Sequence, residues 1–282
     1  MGANIGTVTQ LNALIEQRWA PGLHSAAYNR MKILPHFMDL GKSGRQMNYR
    51  KIANFVSAIL TEGTSGAALT ETGNTEVAAT GTPKSVYVYT SVTKNVIARI
   101  SQGDVLGSYR DSIELALAEG ADIEGGKLAT DMTSVVVGNN TTPITEATFR
   151  EAVQGLAFSA KSHYEPGTTE PAFLVHTKQM KYIMGEPAFT QQQYRGDGTP
   201  LIKGWVYRAH GASWYPTNNI LTGATTRNML LIDDITMAVA WNMKAQVETQ
   251  PFIGETRLVG MIDFAVFAAW QEYGALFNSS PN

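Results

Sequence analysis

The chain contains no cysteine. That excludes disulfides, thiolate nucleophiles, thiolate zinc sites and iron–sulfur clusters together, and it fits a reducing compartment. Charge is also scarce. Charged residues make up 16% of the sequence, against about 25% in ordinary soluble domains. So few charges fit a surface that is polar-neutral or covered by partners. The formal net charge of −2 excludes a strongly basic nucleic-acid binder. No run of about 18 apolar residues occurs, so no transmembrane helix is expected. The N-terminus, MGANIGTVTQ, has neither the basic nor the apolar region of a secretory signal. Gly6 stands where a myristoylation pattern needs Ser or Thr.

Motifs that carry chemistry are missing too. Gly41-Lys42-Ser43 looks like the end of a phosphate loop, but His36 occupies the position that must be Gly. No dinucleotide fingerprint follows a strand, and no nucleophile elbow is present. The histidines, His24, His36, His163, His176 and His210, include no pair at helical metal-site spacing. His163, Glu165 and His176 would have to meet in space to form a ligand set; separate hydrogen-bonded histidines are the simpler reading. Asp233-Asp234 is a carboxylate pair suited to a cation, but neighbours on a strand point to opposite faces, which favours a turn. Trp205, Tyr207, Trp214 and Tyr215 beside Arg208 read as a half-buried sheet face. No catalytic, cofactor or metal residue is assigned, and the chain is not expected to be an enzyme.

What is present is organisation. The 282 residues include 44% hydrophobic ones, enough for one large domain or two modest ones. Residues 1–43 mix short apolar stretches with breakers. Leu11, Leu14, Ile15, Arg18 and Trp19 recur at helical spacing before Pro21-Gly22, and a second helical stretch is read over 25–33. Segments 44–56 and 85–101 read as strands. In the second, Val86, Val88, Val92, Val96, Ala98 and Ile100 share one face, and Tyr87, Tyr89, Thr93 and Arg99 the other. Between the two lies TEGTSGAALTETGNTEVAATGT, residues 61–82, with no aromatic residue and almost no large aliphatic. The simplest expectation is a long two-stranded hairpin with a loop at its tip.

Charges on this hairpin are sorted. The arms carry Lys42, Arg45, Arg50, Lys51, Lys84, Lys94 and Arg99, and the tip carries Glu62, Glu71 and Glu76. An acidic helix is expected over 104–132, with Leu106, Tyr109, Ile113, Leu117, Gly120 and Ile123 at three- and four-residue steps. It bears Asp111, Glu114, Glu119, Asp122 and Glu124, and Gly125-Gly126 is expected to kink or interrupt it. The sorted charges are either solvated, paired within one chain, or paired between neighbours. Further on, strands are expected at 134–137, 173–175, 201–208, 229–232, 237–241, 246–252 and 256–270, and helices at 145–160 and 177–184. The strand at 256–270 is nearly continuous and apolar, as for a strand buried on both faces.

The order of these elements resembles the major capsid proteins of tailed bacteriophages, the Hong Kong 97 fold. The likeness rests on LTEGTSGAALTETGNTEVAATGT as extended-loop tip, the helix from Asp104 as spine helix, AFLVHTKQMKYIM as strand-then-helix, and GDGTPLIKGWVYRAHG. The resemblance implies an α+β fold. Its parts are an N-terminal arm (1–43), an extended β-hairpin loop (44–100), a peripheral-domain spine helix (101–132), an axial domain (133–245), and return strands with a tail (246–282). It implies pentamers and hexamers closing into an icosahedral shell around double-stranded DNA, in a virion assembled in the host cytoplasm. It implies no cofactor and no membrane. A portal, a decoration protein and a separate scaffolding protein are implied partners; this chain starts with Met1 and a short arm, so the alternative is assembly without a scaffold. Near-neutral charge points to non-specific contact with DNA.

The residues expected in contacts between subunits are Arg45, Arg50, Lys51, Lys84, Lys94 and Arg99, the tip residues Glu62, Glu71 and Glu76, and Asp111, Glu114, Glu119 and Asp122, with Arg50, Lys51 and Lys94 of one subunit facing Asp111, Glu114 or Glu119 of a neighbour. Some relatives cross-link through a lysine in the loop, but residues 58–83 hold no lysine, so no such cross-link is expected. An encapsulin-type compartment, a cytosolic α/β enzyme and a tail-tube or adaptor protein are the alternatives.

Overall fold

The computed structural model describes residues 30–42, 47–52, 76–93, 102–160, 164–165, 168–190, 208–220 and 222–280. In chain order the first strands are β1 (Met38–Lys42), β2 (Met47–Ile52), β3 (Glu76–Gly81), β4 (Pro83–Thr93), β5 (Val135–Gly138) and β6 (Ala172–His176). Then come β7 (Arg208–Ala209), β8 (Ala212–Thr217), β9 (Thr226–Leu231), β10 (Met237–Phe252), β11 (Glu255–Ala268) and β12 (Gly274–Ser279). The α-helices are α1 (Gln102–Lys127), α2 (Glu146–Ala160), α3 (Thr177–Gly185) and α4 (Pro187–Thr190).

The strands form a four-stranded sheet, β1-β10-β11-β4, a six-stranded sheet, β5-β12-β9-β6-β8-β7, and the pair β2-β3. The α+β class expected from the sequence is what the chain adopts.

Side-chain alternation positions the cores. On the six-stranded sheet Ala172, Leu174, Met229, Leu231 and Leu276 face one way, toward α1 and the smaller sheet. Phe173, Val175, Leu230, Ala275 and Phe277 face the other way, toward α2 and α3. Both faces are therefore buried, and every residue of β6 is buried, as a central strand demands. The first core continues through Ile113, Leu117 and Ala121 of α1 onto Val239, Trp241, Leu258, Ile262 and Phe264.

The described end of the segment read as an arm belongs to this first core. Met31, Ile33, Leu34 and Phe37 are buried in it, and β1 adds to β10 in parallel. A small third cluster on the far side of the four-stranded sheet gathers Ala238, Phe267 and Ala269 with Met38, Leu40 and Ala79.

The hairpin differs from expectation. β2 pairs with β3, from Met47 opposite Gly81 to Ile52 opposite Glu76, so its partner strand comes from the stretch read as loop tip. The alternating strand β4 instead pairs with β11, from Pro83 opposite Ala265 to Thr93 opposite Glu255. Pro83, lacking an N–H, marks the change of sheet. The pattern in β4 is real: Val86, Val88 and Val92 turn inward, while Tyr87 and Tyr89 are 73% and 54% exposed. That pattern describes a half-buried sheet face and names no partner. Small residues suffice for β3 because it packs closely: a Cβ on Gly81 would lie 2.6 Å from the Phe267 ring.

Two other expectations change. Strands 237–241 and 246–252 are one strand, β10, with register shifts between Trp241 and Gln246; the bulges break the alternation that a sequence reading relies on. It crosses the point at which 133–245 was parted from 246–282. Gly125-Gly126 does not interrupt α1, which runs unbroken to Lys127. Both glycines serve close packing. A Cβ on Gly126 would meet the Asn219 carbonyl oxygen at 2.6 Å, and one on Gly125 the Leu34 side chain at 3.0 Å. Of the strand read over 201–208 only Arg208 lies among the described residues. β11 alternates as far as Asp263 and is buried on both faces from Phe264 to Ala268.

Candidate functional site: the charged face of the long helix

Helix α1 lies on the four-stranded sheet because its three- and four-residue apolar steps fill it. Ile113 and Leu117 press against β11, where Gly260 leaves room: a Cβ there would overlap the Ile113 side chain. Gly120 admits Val86 of β4 in the same way. The acidic residues are left on the other faces, and the structure sorts them into three groups.

Asp122 is fully buried. Its carboxylate accepts backbone N–H bonds from Lys32 at 2.6 Å, Ile33 at 3.1 Å and Leu34 at 3.3 Å. It also accepts from the Asn219 amide at 3.3 Å. One side chain thus ties three parts of the chain together: α1, the segment leading to β1, and the loop after β8. Burial pushes its pKa above the ordinary 3.8, and the four donors pull the other way without cancelling it. Charged acceptors form stronger hydrogen bonds, and a buried carboxylate without them would be costly.

Glu124 and Glu114 form the second group. Lys84 of β4 donates to Glu124 at 2.6 Å, and Lys127 donates to its other oxygen. Partial burial raises the Glu124 pKa, but the two lysines outweigh it and hold the carboxyl below its ordinary value. Glu114 is buried, with the Arg30 guanidinium 4.0 Å away.

Asp111 and Glu119 are exposed on the outward arc. Arg30 reaches the Asp111 carboxylate at 3.7 Å and donates to its backbone oxygen at 3.3 Å.

Of the residues expected to meet across subunits, the structure therefore brings Lys84 onto α1 of its own chain and takes Glu114 and Asp122 into the interior. Arg50, Lys51 and Glu76 stand on the β2-β3 pair, with Arg50 opposite Ala78, Lys51 opposite Val77 and Glu76 opposite Ile52. Arg45, Lys94, Arg99, Glu62 and Glu71 lie outside the described residues. Sequence reasoning missed Arg30 and Asn219. Arg30 falls in a stretch read only as helical, and nothing in the sequence ties Asn219 to position 122.

The residues weighed for chemistry do not converge. His163 lies outside the described residues. His176 caps α3, its Nδ1 accepting from the Lys178 N–H at 3.1 Å; burial first, then Lys178, lowers its pKa. Asp233 sits in the turn before β10 and pairs with His36 at 3.1 Å. Trp214 is buried and Tyr215 is partly exposed, on alternate sides of β8. Among the described residues no group of three or more His, Asp or Glu is placed to hold a metal ion, and no helix is long and apolar enough to cross a membrane.

With this architecture established, the class it defines is found among solved capsids. The chain is similar to the asymmetric unit of the bacteriophage PhiM1 mature capsid, at 8% identity and a TM-score of 0.65, over 89% of this chain and 88% of that one. It is similar to the capsid of a native GTA particle, at 11% identity and TM-score 0.63, over 91% and 90%. It is similar to the capsid of cyanophage P-SCSP1u, at 12% identity and TM-score 0.61, over 88% and 87%. The fold is that of phage capsid chains, the Hong Kong 97 type. Neither a protein-family model nor a curated protein sequence matches the chain. At these identities the likeness is one of fold.

Proposed function

We propose that the chain is a major capsid protein, forming the pentamers and hexamers of an icosahedral phage head that encloses double-stranded DNA. The observation that carries this reading is the extent of the likeness: about nine tenths of this chain align with about nine tenths of the PhiM1 mature capsid chain. The role is structural. The partners are further copies of the chain, with a portal and, where assembly needs them, scaffolding and decoration proteins. Contacts with DNA are non-specific, and assembly takes place in the host cytoplasm.

The same reading extends to the sorted charges. Arg45, Arg50, Lys51, Lys94 and Arg99 of one subunit meet the exposed Asp111 and Glu119 of the next. Each exposed ion pair contributes only about 0–1 kcal/mol, but several in one array set register and orientation. Lys84, Glu114 and Asp122 are occupied within their own chain and stand outside this array.

Size-exclusion chromatography of the purified chain, with negative-stain electron microscopy of the leading fraction, tests the proposal. Closed polyhedra or five- and six-membered capsomers are expected. A chain that stays a monodisperse monomer or dimer, both alone and when expressed with its neighbouring genes, would refute it.

A further inference from the structure

Helix α3 is fastened at both ends by a histidine. At its start His176 is buried and stands at the N-cap, where its Nδ1 accepts from the Lys178 backbone N–H at 3.1 Å. A backbone N–H can only donate, so Nδ1 has to be the bare nitrogen of the ring. At its end α3 passes through Glu186 into α4. The Glu186 carboxylate accepts from the Glu146 backbone N–H at 3.0 and 3.1 Å, which ties this corner to the first turn of α2. His210 sits over the same corner. Its ring lies 5.6 Å from that of Phe189 in α4 and 6.0 Å from that of Phe149 in α2.

A tight turn sets His210 there. His210 and Gly211 join β7 to β8, and their φ angles of 51° and 77° are of the kind a two-residue hairpin turn requires. Such a backbone is uncommon outside glycine, and the ring contacts hold it in place. The His210 Nε2 is buried and forms no hydrogen bond with a described residue. Glu146 Oε1 is 3.9 Å away and is already ion-paired with Arg150.

We propose that residues 177–190 are held by an acid-sensitive clamp: His176 and His210 fasten the two ends of this segment only while uncharged, and a proton on either ring loosens the end it holds. A proton on His176 Nδ1 removes the acceptor at the N-cap. It also sets a cation beside Lys178 and at a helix N-terminus, where positive charge is disfavoured. A proton on His210 puts a charge between Phe149 and Phe189 and beside Arg150. Among the described residues, the charged group acting on His176 is Lys178, and those acting on His210 are Glu146 and Arg150 of α2 and Glu186 of the corner. The two glutamates favour the charged His210 ring, but burial, aided by Arg150, outweighs them. Burial and Lys178 act together on His176. Both rings are thus held below the ordinary 6.5, and the folded chain binds these protons less tightly than the unfolded chain. The stability they confer is present above pH 6.5 and is lost as pH falls through the lowered folded values.

Amide hydrogen exchange of the full-length chain tests this, at about pH 7.5 and about pH 5, on either side of the ordinary histidine value. Exchange is read peptide by peptide by mass and corrected for the intrinsic rate at each pH. Peptides covering 177–190 are expected to lose protection at the lower pH, while those within β11 keep theirs. The double variant His176→Asn, His210→Asn carries no titrating ring at either position. Asparagine is a good N-cap and tolerates positive φ, so this variant should fold, and its 177–190 peptides should be equally protected at both pH values. Unchanged protection of 177–190 in the natural chain would overturn the proposal, whether or not the variant folds. An equal loss in β11 would overturn it too, because it would report global unfolding. So would a loss in the folded double variant as large as in the natural chain. None of these outcomes depends on shell assembly, so this inference and the proposed function fail separately.

Discussion

The six-stranded sheet separates two cores made of different materials. On the side of α2 and α3 the core is aromatic. Phe149, Phe173, Phe189, Trp214 and Phe277 form a contiguous set with ring centroids 4.7–6.2 Å apart, in largely tilted and edge-on arrangements, as ring quadrupoles favour. On the side of α1 the core is mostly aliphatic, with Phe37, Trp241 and Phe264 as its large rings, and is closed by backbone proximity. Glycines at 120, 125, 126 and 260 let α1 approach β4, residues 33–37, the loop after β8 and β11. One core fills its volume with large side chains; the other lowers the volume to be filled. They should therefore fail differently. The aromatic core should be most sensitive to removal of atoms, and the glycine-lined core should also be sensitive to their addition.

The largest effect expected is from Phe149→Ala. Phe149 is fully buried and touches four other aromatic rings of the cluster, so the cavity cannot close by one neighbour moving. A loss of about 4 kcal/mol is expected, against about 3 for Leu117→Ala in the other core. Urea unfolding of both variants, with unchanged m-values, measures the comparison. Equal losses would mean that the ring cluster adds nothing beyond its buried area.

Much of this architecture was legible in the sequence, for a physical reason. The alternation in β4, the periodicity of α1 and the strand-then-helix at 172–185 are local patterns, and burial of one face imposes them residue by residue. What was illegible depends on distant partners. Ala79 and Gly81 look like loop because they are small, yet both pack by Phe267, far along the chain, which leaves little room there. Gly125-Gly126 looks like a helix breaker because propensity counts only the helix, while the close approach of Asn219 is tertiary. Asp122 looked like one more surface acid on an acidic helix; its position on the face toward residues 32–34 decides otherwise. The charge pattern showed which signs lie where and not which residues meet.

Asp122 gives the next effect in size and links the two lobes, because Asn219 follows β8 of the aromatic side. Asp122→Ala removes the acceptor of three backbone N–H groups and should destabilise by about 3 kcal/mol. Asp122→Asn keeps an acceptor oxygen and should cost much less. The two variants also separate charge from hydrogen bonding through pH. Burial raises the folded pKa of Asp122 above 3.8. The folded state therefore holds this proton more tightly than the unfolded chain. The corresponding stability is fully present below pH 3.8 and is lost as pH rises through the raised folded pKa. Asn does not titrate. The stability of the natural chain relative to Asp122→Asn should therefore fall as pH rises across that window. Denaturant midpoints of both proteins at a series of pH values read this directly. A rising difference would mean that the donors outweigh burial.

The smallest effects set one glycine of each lobe against the other. Replacing Gly126 by alanine improves intrinsic helix propensity by about 1 kcal/mol. It also puts a methyl group 2.6 Å from a backbone carbonyl oxygen, which cannot rotate away as a side-chain end can. Overpacking of this kind costs about 1–3 kcal/mol, so a net loss of about 1 kcal/mol is expected. Gly185, at the end of α3, has nothing within 4 Å of the position a Cβ would take. There the propensity gain stands alone, and Gly185→Ala should stabilise by about 0.5 kcal/mol. Thermal unfolding of the two single variants distinguishes the outcomes by sign. If Gly126→Ala also stabilises, α1 can shift away from the loop after β8 at little cost, and close backbone approach is not what holds the aliphatic core together.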